Sequence, residues 1–261
     1  MDLQLEGKKA LVTGSTAGIG FATARLLAAE GASVVVNGRG QERVDAAIGK
    51  ILKLHPKAKV TGVASDVLDA AGCAKLIQAL ASVDVLVNNM GIFEPKPFEK
   101  IPDEDWLHFF EANVMSGVRF SRHYLSGMRE KQWGRIVFVS SESAVQIPAE
   151  MIHYGMTKTA QIAVARGIAE TVAGTGITVN SVLPGPTRSE GAETFIARMG
   201  GRDVAAFEAD FFKTVRPTSL LKRFATIDEV ANLIVYLCSP LASATTGSAL
   251  RVDGGVVRAI L

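Results

Sequence analysis

The feature that most restricts the fold of this chain lies near its start. An apolar run from Lys8 to Thr13 stops at Thr13-Gly14-Ser15-Thr16-Ala17-Gly18-Ile19-Gly20, and a helical pattern follows through Glu30 to a break at Gly31. Strand, glycine turn and helix in that order put free helix N–H groups beside backbone without Cβ atoms, the local geometry of a pyrophosphate cradle. Glycine spacing alone says little. Its position between a strand and a helix makes Gly14, Ser15, Thr16, Gly18, Ile19 and Gly20 candidate dinucleotide contacts.

The same rhythm continues. Ser33–Asn37, Lys59–Ala64, Asp84–Val87, Gly134–Ser140, Gly176–Leu183 and Ala249–Val252 read as strands. Helical patterns over Gln41–Leu54, from near Asp69, and over Pro102–Lys131, His153–Ala173 and Asp228–Cys238 separate them, the last with Thr226 at its cap. This alternation predicts an α/β fold: a single doubly wound Rossmann-type domain over 1–261, a seven-stranded parallel sheet with helices on both faces. Gly191–Ser219 departs from it as one or two short amphipathic helices. Their Phe195, Met199, Phe207, Phe211 and Phe212 are either packing or part of a substrate lid at about 188–219.

Open sheets of this kind gather ligands at the carboxyl ends of their strands, so those ends carry the chemistry. After the second strand stands Gly38-Arg39, with no acid for a ribose 2′-hydroxyl and a guanidinium suited to a 2′-phosphate. NADP(H) is therefore the expected cofactor and NAD(H) the alternative; the plainer reading makes Arg39 a solvated turn residue. Asp66-Val67 follows the third strand, where Asp66 accepts from an adenine amino group or caps the next helix. Asn88-Asn89-Met90-Gly91 is either a turn passing a ribose or an ordinary turn, and Pro184-Gly185-Pro186-Thr187 closes the sixth strand rigidly. Asn113 sits among apolar neighbours and needs a partner, since an unsatisfied buried amide costs about 1–3 kcal/mol. A water leading to Lys158 would supply one.

Tyr154 and Lys158 share a face near the start of a helix, with Cβ atoms roughly 6 Å apart at that spacing. A phenol titrates near pH ~10, about three units above neutrality. An ammonium about 4 Å away, at an effective dielectric of ~20, offers on the order of 4 kcal/mol toward closing that gap, with desolvation opposing. Ser141, at the end of the fifth strand, is placed to hydrogen-bond a carbonyl beside Tyr154.

A net charge of +2 with scattered Lys and Arg gives no nucleic-acid footprint. No apolar run spans a bilayer, so no membrane partner is expected and a soluble cytoplasmic protein is. Cys73, Cys238 and the histidines at 55, 108, 123 and 153 have no metal-ligand spacing, although His153 either touches substrate or faces away.

Taken together, Thr13-Gly14-x-x-x-Gly18-Ile19-Gly20, Asn88-Asn89-x-Gly91, Ser141 with Tyr154-x-x-x-Lys158, Pro184-Gly185 and Asp253-Gly254-Gly255 resemble the classical short-chain dehydrogenase/reductase family over essentially the whole chain. The likeness extends to its 3-oxoacyl-acyl-carrier-protein reductase-like members. The resemblance implies Tyr154 as general acid in carbonyl reduction, Ser141 orienting the carbonyl, Lys158 holding the nicotinamide ribose and lowering the phenol pKa, and Asn113 completing a proton relay. It also implies that Asp66 meets adenine, that Asn89 and Gly91 flank the ribose, and that Thr187 meets the carboxamide. Met90 stands where the family most often has Ala. The substrate is expected to be a small-molecule carbonyl or alcohol, a 3-oxoacyl thioester first and a sugar, polyol or other small ketone second. A non-catalytic dinucleotide sensor is the rival reading. A homotetramer is expected too, with the apolar tail from Val256 at its contact.

Overall fold

The structure is a computed structural model in which residues 1–190 and 204–260 are described. Strands β1 (Lys9–Val12), β2 (Ser33–Gly38), β3 (Val60–Ala64), β4 (Val85–Asn88), β5 (Gly134–Val139) and β6 (Ile177–Pro184) join the C-terminal β9 (Ala249–Val252) in one seven-stranded sheet. Its order is β3-β2-β1-β4-β5-β6-β9, parallel at every pairing. Helices cover both faces, which is why β5 and β6 are buried along their whole length, the polar Arg135, Thr178, Asn180 and Ser181 included.

On one face Leu27 of α1 (Gly18–Ala29), Val44 and Ile51 of α2 (Gln41–Leu54) and Ile234 of α8 (Ile227–Cys238) build the core. On the other, Leu76 of α3 (Ala70–Ala79), Phe120 and Met128 of α5 (Ser116–Glu130) and Ala165 of α6 (Ile152–Thr171) do so. The chain winds outward from β1 to β3, then returns to the far side of β1 with β4. That reversal opens a crevice at the carboxyl ends of β1 and β4.

One expectation is revised, and another falls partly outside the described residues. The single helical pattern over 102–131 is α4 (Asp103–Phe110), a π-helical turn at Glu111–Met115, and α5. A turn with one extra residue keeps the apolar residues near helical spacing, so periodicity does not reveal it. Of the segment at 188–219, residues 191–203, with Phe195 and Met199, lie outside the described residues. In the remainder, β7 (Thr187–Arg188) pairs with β8 (Ala225–Thr226), and α7 (Val204–Thr214) packs Phe211 and Phe212 on Phe224, each ring centroid 5.2 Å from that of Phe224. Those phenylalanines form a small core of their own.

Candidate active site

The glycine turn at the end of β1 is held from behind. Gly14 and Gly18 have φ of +60° and +59°, the left-handed region that glycine enters without strain. Asn37 Oδ1 accepts from Gly14 N at 3.1 Å, and Asn89 Nδ2 donates to the Thr13 and Gly14 carbonyls at 3.0 and 3.1 Å. Ser15 is fully buried, its hydroxyl donating to the Val12 carbonyl at 2.7 Å and its N–H to the Asn37 carbonyl at 2.8 Å, so it shapes the turn, while Ile19 packs against the core and offers a ligand its backbone only. Gly20 lies so close beneath the turn that an added Cβ would stand 2.6 Å from the Gly14 carbonyl oxygen. No side chain caps α1, so its first N–H groups remain free for an anion. The turn therefore fits a pyrophosphate.

The other cofactor candidates ring this turn. A Cβ at Gly38 would overlap the Thr16 methyl, so packing keeps a carboxylate off that position, and the exposed Arg39 follows it. Asp66 is exposed at the end of β3 and Val67 is buried behind it. The cap of α3 is Asp69, which accepts from Gly72 N at 2.8 Å, so the capping alternative for Asp66 falls. Asn89 braces the turn with its amide instead of presenting it outward. Met90 packs into the second core. Pro184 ends β6, Gly185 lies against the Asp253 carbonyl, and Thr187 in β7 donates to the Gly185 carbonyl at 2.8 Å.

Four residues meet at the carboxyl ends of β4 and β5. Tyr154, half-buried in the first turns of α6, stands near Ser141, which lies just beyond β5. Lys158, one turn along, has its ammonium 5.6 Å from the Tyr154 ring centroid and donates to the Val139 carbonyl at 3.0 Å. A Cβ at Gly91 would be 3.2 Å from that ammonium, which ties the turn after β4 to the same place. Asn113 is wholly buried in the π-turn; it accepts from Ile92 N at 2.7 Å and donates to the Ile92 carbonyl and Thr157 Oγ1, both at 3.0 Å. A side chain links Asn113 and Lys158: Gln161 Nε2 donates to the Asn113 carbonyl at 2.5 Å, and Gln161 Oε1 accepts from Lys158 at 3.2 Å.

The electrostatics also differ from expectation. Burial pushes the Tyr154 phenol up, with the neighbouring Ser141 hydroxyl pulling it part of the way back. Burial pulls the Lys158 amine down from 10.5 to about 7. Desolvation thus outweighs the Coulombic help that spacing alone suggested. Of the two readings of His153, the structure favours the one that faces away: its ring is fully buried, 4.1 Å from the Phe109 ring centroid, and faces α4.

The wall beside Ser141 is a buried, ion-paired carboxylate. Glu142 is buried, and its Oε2 accepts from Ser141 Oγ at 2.5 Å and from Ser143 N at 2.7 Å. Its Oε1 accepts from Arg216 Nε at 3.0 Å, and Arg216 Nη1 donates to Glu150 at 3.0 Å. Gln161 stands three residues past Lys158 on one helix face and was findable by that rule. Arg216 arrives from a distant segment, and nothing local announces it.

A family model described as enoyl-(acyl carrier protein) reductase matches residues 14–257. The uncharacterized oxidoreductase YvaG of Bacillus subtilis is 48% identical across 100% of both chains. The 3-oxoacyl-[acyl-carrier-protein] reductase of Aquifex aeolicus is 32% identical over 98% of this chain and 100% of its own. L-sorbose reductase from Gluconobacter frateurii, solved in complex with NADPH and L-sorbose, aligns over 100% of both chains at 31% identity with a TM-score of 0.93. With the parallel sheet, the glycine turn and these matches in agreement, the chain belongs to the short-chain dehydrogenase/reductase family.

Proposed function

We propose that this protein is an NADP(H)-preferring oxidoreductase that interconverts a carbonyl and a secondary alcohol on a small, hydroxyl-bearing substrate. The observation that carries the reading is the meeting of Tyr154, Ser141 and Lys158 beside the turn of Gly91 and within reach of the glycine cradle. The bound nicotinamide supplies or takes up the hydride. Tyr154 gives the carbonyl oxygen its proton in reduction and removes it in oxidation, Ser141 fixes the substrate oxygen against Tyr154, and Lys158 holds the ribose. Asn113 keeps the loop at Ile92 and the start of α6 in register around them. Tyr154→Phe should lose at least about two orders of magnitude in kcat while still binding NADPH. Near-normal turnover in that variant would reject the assignment.

The cofactor preference rests on the exposed Arg39 and on packing that excludes an acid at Gly38. Arg39→Asp should lower the ratio of NADPH to NADH efficiency; an unchanged ratio would remove Arg39 from the site.

The substrate class follows from two contacts. Beside Ser141 the wall is the buried Glu142–Arg216 pair, suited to hydroxyl groups, and Phe207, Phe211 and Phe212 are packed with Phe224. The likeness to L-sorbose reductase supports the same choice. A 3-oxoacyl thioester is the second reading, supported by the Aquifex relative. An NADPH-oxidation screen over keto-sugars, small ketones and a 3-oxoacyl thioester, with NADH in parallel, separates the two. Tight NADPH binding without turnover on any of them would favour a dinucleotide sensor. The reading is completed by a cytoplasmic homotetramer of one-domain subunits.

A further inference from the structure

Arg216 is anchored at two of its three guanidinium nitrogens. Nε donates to Glu142 Oε1 at 3.0 Å, and Nη1 donates to Glu150 Oε1 at 3.0 Å and to the Val215 carbonyl at 3.1 Å. Nη2 has no acceptor among the described residues and is not sealed from solvent, although the side chain as a whole is only 10% exposed. A guanidinium is a rigid planar fork, so two anchored nitrogens fix where the third one points. One anchor is Glu142, whose Oε2 accepts from the Ser141 hydroxyl at 2.5 Å. The open donor therefore belongs to the wall beside Ser141. Besides the burial that dominates it, the Tyr154 phenol feels both charges, Glu142 raising and Arg216 lowering its pKa.

The charge of this wall does not balance. Glu142 and Glu150 are two carboxylates on one guanidinium, and Lys96, whose N–H donates to the Glu150 carbonyl at 3.0 Å, is itself paired with Asp105. A donor set among excess negative charge accepts a neutral oxygen and penalises a carboxylate. A hydroxyl suits it best, because its oxygen accepts while its hydrogen turns to a carboxylate. We propose that Arg216 is a substrate contact: Nη2 binds a hydroxyl oxygen away from the reacting carbon, and Glu142, Arg216 and Glu150 together select neutral polyhydroxy ketones and their alcohols over carboxylate-bearing analogues. The proposal rests on the oxidoreductase reading above and narrows its substrate class.

L-sorbose and 5-keto-D-gluconate are the probes, since they share the ketone and its stereocentres and differ by a carboxylate in place of the far hydroxymethyl group. Cyclohexanone, which has no hydroxyl, is the third. With NADPH, wild type should favour L-sorbose in kcat/KM. Arg216→Lys keeps a positive charge against Glu142 and loses the fork. It should raise KM for L-sorbose by about tenfold, with the loss in KM and not in kcat, and should change KM for cyclohexanone much less. Glu150→Gln keeps an acceptor for Arg216 and removes one negative charge. It should raise kcat/KM for 5-keto-D-gluconate relative to L-sorbose by about fivefold, a gain that shrinks at high salt. A wild-type preference for 5-keto-D-gluconate or cyclohexanone, an equal loss on every probe in Arg216→Lys, or an unmoved ratio in Glu150→Gln would overturn the proposal. If wild type turns over none of the probes, the oxidoreductase reading fails, and calorimetry on the NADPH complex of Tyr154→Phe decides the contact alone. L-sorbose should bind there more tightly than 5-keto-D-gluconate, and about tenfold more weakly once Arg216→Lys is added. Binding of neither sugar, or L-sorbose affinity that Arg216→Lys leaves unmoved, would also overturn the proposal.

Discussion

Lys158 shows how far a pocket can move a side chain from its solution behaviour. Its amine is 4% exposed, and burial brings its pKa from 10.5 down to about 7. The unfolded chain keeps this proton up to about 10.5 while the folded chain releases it from about 7, so between those values the unfolded state binds more protons. Stability therefore rises with pH across that window as far as this group is concerned. Lys158→Met removes the titration. The melting temperature of wild type relative to the variant should climb as pH rises above about 7, and a constant difference would show that the amine titrates normally when folded. The same numbers bear on function, because near neutrality the amine is only partly charged and offers Tyr154 less than a full ammonium would. Spacing alone placed Tyr154 and Lys158 on one face. It could not supply the burial that decides their protonation, since burial is set by β5, the π-turn and Gly91 together.

Among the elements, α8 has a start that was legible in advance. Thr226 accepts from Glu229 N at 3.1 Å and Glu229 accepts from Thr226 N at 2.8 Å, a capping box that closes the first turn. Thr226→Ala should cost about 1 kcal/mol in a urea unfolding series, and no change in midpoint would mean that packing on β5 and β6 alone fixes the helix start. Caps, strands and the glycine turn were readable because each is a local pattern: an apolar run, a helical period, a residue type at a boundary. The π-turn was not, because Asn113 and its apolar neighbours fit a continuous helix equally well until the Asn113 carbonyl is seen turned to Gln161. The phenylalanines of α7 show the other limit. Helical spacing identified a stripe, but whether it faces a substrate or a core depended on Phe224, which belongs to a different segment. Glu142 and Arg216 were likewise separate charges in the sequence and are one buried pair in the fold.

At the scale of the whole molecule the open question is what covers the β9 side of the sheet. β9 is an edge strand, so one row of its backbone groups has no neighbour within the sheet, and parallel sheets seldom leave such an edge in water. The tail beyond it is only partly accounted for within the chain: Val256 and Val257 are buried, whereas Ile260 is 94% exposed, as is Leu220 nearby at 82%. Arg251 Nη1 donates to the Ala259 carbonyl at 2.7 Å, which holds the tail against β9 in place of letting it fray. A tail fixed in this way, with apolar side chains outward beside an open edge, suits burial against a second copy related by a two-fold axis. A homotetramer built on that contact should scatter light at micromolar concentration with four times the 27.6 kDa chain mass. Ile260→Lys together with Leu220→Lys should reduce the mass while leaving the far-ultraviolet circular dichroism unchanged. A wild-type mass of 27.6 kDa would show that the edge is tolerated in water and would remove the assembly from the proposed function. A tetramer that survives both lysines would instead move the contact to another face, with the exposed Leu107 and Phe110 of α4 the next to be replaced.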